Sequence, residues 1–287
     1  MNAYEKLLAC VDSIRKKTDF VPAIGVVLGS GLGEYANEIK VVATVEYSEI
    51  EGFPVSTVMG HQGKFVFGYS DEVPVVVMAG RVHYYEGYPM TDVVLPTRLM
   101  GMLGAKVLFL TNAAGGVNEH FRAGDFMLIT DHIASMVPSP LIGENLDQLG
   151  ERFPDMSNAY DKDLQCVIRK TALNHSIPLQ QGVYCQFTGP AFETPHEVKM
   201  AKILGADAVG MSTAVECIAA NHMGLKVCGI SCISNLAAGI SPVALSHQDV
   251  FDTANLVAPL FRKLVRESVN EIYKTSLDRK STRLNSS

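Results

Sequence analysis

KVLFLTNAAGGVN, residues 106–118, opens as a short apolar run and breaks at once into small and polar residues. A run of this kind, bounded by Gly and Asn, reads as a buried strand whose end exposes backbone amides. Two other segments repeat the plan: AIGVVL (23–28) gives way to GSGLG (29–33), and PVVVMA (74–79) to GRVHYYEGYP (80–89). Further strand candidates are 64–69, 126–130, 182–187, 207–210 and 226–232. Amphipathic stretches at 2–17, 91–103, 161–175, 195–204, 213–223 and 247–272 read as helices. Near-continuous apolar strands alternating with helices predict an α/β fold, with a central mixed, largely parallel twisted sheet flanked by helices. The pair 64–69 and 74–79, joined by YSDE, predicts an antiparallel hairpin within that sheet.

The helix faces can be assigned from their period. In the first helix Tyr4, Leu7, Leu8, Val11 and Ile14 share one face; in the last, Val250, Ala254, Val257, Leu260, Phe261, Leu264 and Val265 point inward, with Ser246 and Asp249 as its cap. The longest irregular stretch is 131–160, with three prolines, and a loop of that length in a compact body makes contacts or serves function. One domain over 1–277 is expected. The polar, basic tail 278–287 (DRKSTRLNSS) lacks periodicity and reads as a non-native, disordered extension.

Bulk composition narrows the partners. Of 287 residues, 47% are hydrophobic and 19% charged, as in a chain with a packed core. Lys and Arg total 24 against 30 Asp and Glu, a formal charge of −6, which argues against nucleic acid or an anionic membrane as partner. Any anion is therefore held by a local pocket. No apolar stretch is long enough to span a bilayer and no signal peptide opens the chain, so a cytoplasmic location is expected. The six cysteines lie mostly in apolar segments without a CxxC pair, which reads as buried free thiols rather than a metal or redox centre.

Five segments carry chemistry. LGSGLG (28–33) follows a strand, where close backbone approach suits an anion and Ser30 adds a hydroxyl; a ligand-free Gly turn has the same sequence. In GRVHYYEGYP, Arg81 and His83 alternate onto one face of an extended segment, where both can meet one anion. TNAAGGVN presents amides at a carboxyl edge. In TGPAFETPHE (188–197), Glu193 can accept from the N–H groups of a heterocycle with Phe192 on its ring, or be a solvated loop acid. Ser212 and Thr213 enter a helix as caps or as phosphate ligands. Asn235 ends the buried strand of GISCISNLAAG (229–239), and its amide needs a partner there.

LGSGLG, GHQGK (60–64), GRVHYYEGYP, TNAAGGVN, GPAFETP, GADAVGMST (205–213) and the SN of 234–235 occur in the same order in a known family, over residues 20–270. The chain resembles the trimeric purine nucleoside phosphorylases. That resemblance implies cleavage of inosine and guanosine, or their deoxy forms, by inorganic phosphate as co-substrate, with no cofactor or metal. It implies a phosphate site of Ser30, His61, Arg81, His83, the Ala113 amide and Ser212. The purine falls to Phe192, Glu193, Val209, Met211 and Asn235, and the ribose to Tyr85, Met211 and His247. Asn235, Glu193 and His83 are the implied catalytic residues. Phe153 is implied to cross into the neighbouring subunit of a homotrimer.

Three other readings compete. Relatives that cleave 5′-methylthioadenosine carry an aspartate in place of the base-contacting amide and an apolar residue in place of the 5′-hydroxyl histidine, whereas this chain has Asn235 and His247. A non-catalytic nucleoside binder has no need of Arg81, His83, Glu193 and Asn235 together. A dinucleotide-dependent oxidoreductase rests on LGSGLG alone and fails on its glycine spacing.

Overall fold

The computed structural model describes residues 2–29, 33–57, 62–240 and 246–278. Among the described residues, nine strands form one sheet: β1 (Ile24–Val27), β2 (Lys40–Glu46), β3 (Lys64–Ser70), β4 (Val73–Ala79), β5 (Val107–Gly116), β6 (Phe126–Ile133), β7 (Gln180–Gln186), β8 (Ala208–Gly210) and β9 (Lys226–Leu236). The helices are α1 (Ala3–Arg15), α2 (Met90–Val93), α3 (Leu95–Met102), α4 (Lys162–Asn174), α5 (Pro195–Ile203), α6 (Ala214–His222) and α7 (His247–Ile272). Among the described residues, no helix is long and apolar enough to cross a membrane.

The strand order is β2-β3-β4-β1-β5-β8-β7-β6-β9, with β9 also paired to β5, so the second half of the sheet curls into a closed ring. β1 runs parallel to β4 and β5, and β5 parallel to β9, as continuous apolar strands predict. The hairpin of β3 and β4 is antiparallel, in register from Lys64↔Ala79 to Ser70↔Val73. β6 and β8 meet their β9 and β5 neighbours antiparallel, which completes the mixed sheet.

Alternation along the strands feeds two cores. Val27, Phe65, Phe67, Val76, Met78, Leu108 and Leu110 face α1, α3 and α6; Ile24, Val26, Val66, Val75, Val77, Val107 and Phe109 face α4 and α7. Ser246 caps α7, accepting from the Asp249 amide and donating to its carboxylate at 2.6 Å. All six cysteines are free, and five are buried.

Several expectations change. The helix expected over 91–103 is two, α2 and α3, because Pro96 lacks an N–H and its ring crowds the carbonyl one turn earlier. Leu8 on α1 and Leu260 on α7 are 39% and 43% exposed, so the buried stripes are narrower than assigned, and Cys10 takes the inward place on α1. β2 was not among the sequence candidates. β5 runs on through TNAAGG, which is strand rather than loop, while β9 extends past 232 and carries Ser234 and Asn235 at its end, as the sequence implies. Of the tail, residues 279–287 lie outside the described residues.

Candidate active site

Three strand ends meet at one point. The Thr111 hydroxyl donates to the Val27 carbonyl at 2.7 Å and accepts from the Gly29 amide at 3.0 Å. A Cβ on Gly29 would stand 2.6 Å from the Asn112 backbone, so only glycine lets β1 and β5 approach this closely. Arg81, leaving β4, donates from Nη1 to the Thr111 carbonyl at 2.9 Å. The segments 23–29, 74–89 and 106–118 are thus tied together by hydrogen bonds that converge on Thr111.

Arg81 is 2% exposed and clasped by an equally buried carboxylate. Its Nε donates to Glu216 Oε1 at 2.8 Å and its Nη2 to Oε2 at 3.0 Å. This forked geometry fixes the guanidinium plane while the residue still lines the central cavity. His83 lines the same cavity and stacks on Tyr85 with ring centroids 4.7 Å apart. Glu86 holds it from behind, accepting from the His83 amide at 2.7 Å and lying 3.1 Å from Nδ1. Burial lowers the pKa of His83, so the imidazole is neutral near pH 7. Burial pushes the Glu86 carboxyl up, but hydrogen bonds from His83 and Thr57 outweigh it and bring the pKa to about 2.

Ser212 and Thr213 enter α6 through a tight turn. Thr213 has φ 80° and ψ −54°, and the Ala214 amide bonds back to the Ser212 carbonyl at 3.0 Å, a γ-turn of the strained hand. The strain is held by burial and by hydrogen bonds: Asn112 Nδ2 donates to Thr213 Oγ1 at 2.9 Å, and the Ser212 hydroxyl lies 3.1 Å from the same oxygen. The Ser212 amide donates to the Tyr184 hydroxyl at 3.3 Å. A Cβ on Gly210 would sit 2.4 Å from that hydroxyl, which reserves the position for glycine.

The other end of the cavity is built for a flat, hydrogen-bonding ligand. Gly115 on β5 is in register with Val209 on β8 and Asn235 on β9. A Cβ there would stand 3.4 Å from Asn235 Nδ2 and from Val209, so the glycine keeps the floor low between them. Ser234 donates to Asn235 Oδ1 at 2.9 Å, and Asn235 Nδ2 donates to the Leu236 carbonyl at 3.1 Å. Glu193 is 8% exposed and its Oε1 is buried without a hydrogen-bond partner. Burial raises its pKa above the usual carboxylate value. An acceptor held this way is costly unless a donor arrives from the cavity.

The cavity measures about 360 Å³, within the range of small-molecule sites. It brings together Arg81, His83, Tyr85, Ala113, Phe192, Glu193, Val209, Met211, Ser212 and Asn235, ten of the expected residues. Phe153 is not among its lining residues; its ring is 86% exposed, with the Arg152 guanidinium 5.7 Å from the centroid. Ser30 and His61 lie outside the described residues, as does the side chain of His247, which opens α7. Sequence reasoning missed Glu216, Glu86, Asn112 and Val250. The signal for Glu216 was an acid within the otherwise apolar AVECIAA, a placement that requires a buried cation.

An anion-seeking end and a heterocycle-seeking end in one cavity, at the carboxyl side of parallel strands, define an enzyme-type site for a nucleoside and an oxyanion. Residues 23–270 match the family model described as "Phosphorylase superfamily". Purine nucleoside phosphorylase 1 of Bacillus subtilis (strain 168) is 54% identical over 86% of this chain and 92% of its own length. Purine nucleoside phosphorylase 1 of Geobacillus stearothermophilus is 49% identical over 91% and 95%. Among solved structures, Schistosoma mansoni purine nucleoside phosphorylase in complex with inosine superposes with a TM-score of 0.89 at 37% identity, over 94% of this chain and 97% of that one. The chain belongs to the phosphorylase superfamily and, within it, to the purine nucleoside phosphorylases.

Proposed function

We propose that this cavity cleaves 6-oxopurine nucleosides, inosine and guanosine and their deoxy forms, with inorganic phosphate, yielding the free base and (deoxy)ribose 1-phosphate. The observation that carries this reading is the pairing, in one cavity, of Glu193, whose Oε1 is buried without a partner, and Asn235 with Arg81, His83 and Ser212. The inosine complex of the Schistosoma mansoni relative supports the substrate class.

In this reading Arg81, His83, Ser212 and the Ala113 amide hold phosphate, together with Ser30 and His61. A phosphate oxygen attacks C1′ as the C1′–N9 bond breaks, with inversion at the anomeric carbon. The electron pair of that bond leaves on the purine, toward N7 and the 6-oxygen, and the proton that hydrogen phosphate loses as its ester forms, relayed by water, restores the neutral base. Asn235 donates to the charge developing on the ring, and Glu193 accepts from the ring N–H groups on the opposite edge. Phe192, Val209 and Met211 enclose the base; Tyr85, Met211 and His247 hold the ribose. Neutral His83 orients the phosphate beside the ribosyl cation without adding charge to the site.

We place the catalytic unit in a homotrimer in which Phe153 closes the neighbour's sugar site. The ring is 86% exposed on a long irregular segment, an unfavourable place for so large an apolar group in an isolated chain.

The test is a panel of inosine, guanosine, adenosine and 5′-methylthioadenosine at saturating phosphate. The two 6-oxo nucleosides are expected to have the highest kcat/KM. Preference for methylthioadenosine overturns the assignment of Asn235.

A further inference from the structure

Arg98 lies on α3, away from the catalytic cavity, and shares no lining residues with it. It is 4% exposed, and its Nε is buried without a hydrogen-bond partner. Burial lowers its pKa. A guanidinium keeps its proton even when buried, so Arg98 brings a positive charge to this place with its Nε unpartnered.

The side chain borders a small cavity of about 50 Å³, lined also by the 140–146 segment, Thr91 and His222, the last residue of α6. Asn145 donates from Nδ2 to Asp147 Oδ1 at 2.6 Å and to the Gly150 carbonyl at 3.0 Å, which leaves its Oδ1 to accept from His222 Nε2 at 3.2 Å. Burial, and then the charge of Arg98, lower the His222 pKa, so the imidazole contributes polarity without charge. Glu144 also borders the cavity but is exposed, so Arg98 is the one buried charge among the described residues that line it. The cavity volume exceeds the ~10–15 Å³ that one water needs and is far below what a nucleoside or sugar phosphate occupies.

We propose that the cavity beneath the 140–146 segment binds one small monovalent inorganic anion, of about the size of chloride, on the guanidinium of Arg98. The anion neutralises the buried charge and joins α3, the end of α6 and the 140–146 segment into one packed unit.

The probe is chloride, exchanged for gluconate at constant ionic strength in buffer free of phosphate and nucleoside, with thermal unfolding as readout. Wild type is expected to melt about 3 °C higher in chloride, saturably, as a ligand specific to the folded state requires. Arg98→Met loses that response, and in gluconate it melts no lower than wild type, because it lacks the buried charge. An equal response in both proteins assigns the effect to another site, the catalytic one included, and overturns the proposal, as does no response in wild type. Bromide-soaked crystals of the wild type give a second reading that does not depend on the variant's folding. An anomalous peak on Arg98 Nε is expected, and water alone at that position overturns the proposal.

Discussion

Glu216 grips Arg81 through two parallel hydrogen bonds of 2.8 and 3.0 Å, both partners 2% exposed, and so turns a cavity-lining arginine into a fixed part of the core. The pair spans 135 residues of sequence and joins the start of α6 to the end of β4. Glu216→Ala strands a buried guanidinium, and unfolding in urea is expected to show a loss of about 3–5 kcal/mol. A loss below about 1 kcal/mol means that the pair is not what orders this end of the site. Arg81→Ala, in turn, is expected to raise the KM for phosphate sharply while purine binding stays nearly intact.

Glu193 links stability to activity with opposite signs. Its folded pKa is raised by burial, so the folded chain holds a proton that the unfolded chain has already lost, and ionisation above the normal carboxylate pKa costs stability. Glu193→Gln is therefore expected to melt higher than wild type at pH 7. That gap closes as pH falls through the raised pKa of the wild-type residue. Loss of a charge-assisted acceptor lowers kcat/KM for inosine roughly 10- to 100-fold. The wild-type acid limb of the pH–rate profile disappears in the variant. A variant that melts lower at pH 7 contradicts the unpaired state of Oε1.

Ser234 supports Asn235 by donating to its Oδ1 at 2.9 Å. Ser234→Ala frees the amide to rotate, and kcat/KM for inosine is expected to fall about fivefold, the equivalent of one hydrogen bond of about 1 kcal/mol. Asn235→Asp replaces a donor toward the 6-oxygen with an acceptor suited to a 6-amino group. The adenosine-to-inosine ratio of kcat/KM is expected to rise at least about tenfold. An unchanged ratio removes Asn235 from base recognition.

Phe153→Ala is expected to leave the melting temperature of the isolated chain nearly unchanged, because an 86% exposed ring contributes little to its core. In the proposed trimer the same change is expected to raise the KM for inosine. Sedimentation of the variant beside its kinetics separates the two effects; a monomer as impaired as the trimer rules out a shared site.

The parallel centre of the fold was legible because β1, β4 and β5 are apolar on both faces, and the site because each of these strands ends in small, polar or basic residues. β2 was hidden for the opposite reason. It is an edge strand with Val41 and Val42 more than half exposed, so its sequence carries no burial pattern. Leu8 and Leu260 misled because hydrophobic period marks a stripe but not its width. Motifs named the groups that face a ligand, while Glu216, Glu86 and Asn112, which hold those groups, come from distant turns or depend on partners that only the fold brings near. Thr213 was legible as the residue that enters α6, but it makes no side-chain capping hydrogen bond, and a β-branched residue gives no local warning of a φ of 80°.

The central claim is tested most directly by incubating the purified protein with inosine, with and without phosphate, and identifying the sugar product. Hypoxanthine release that requires phosphate and yields ribose 1-phosphate is the predicted result. Release of free ribose without phosphate contradicts it, because the anion-holding end of the cavity then plays no part in the reaction.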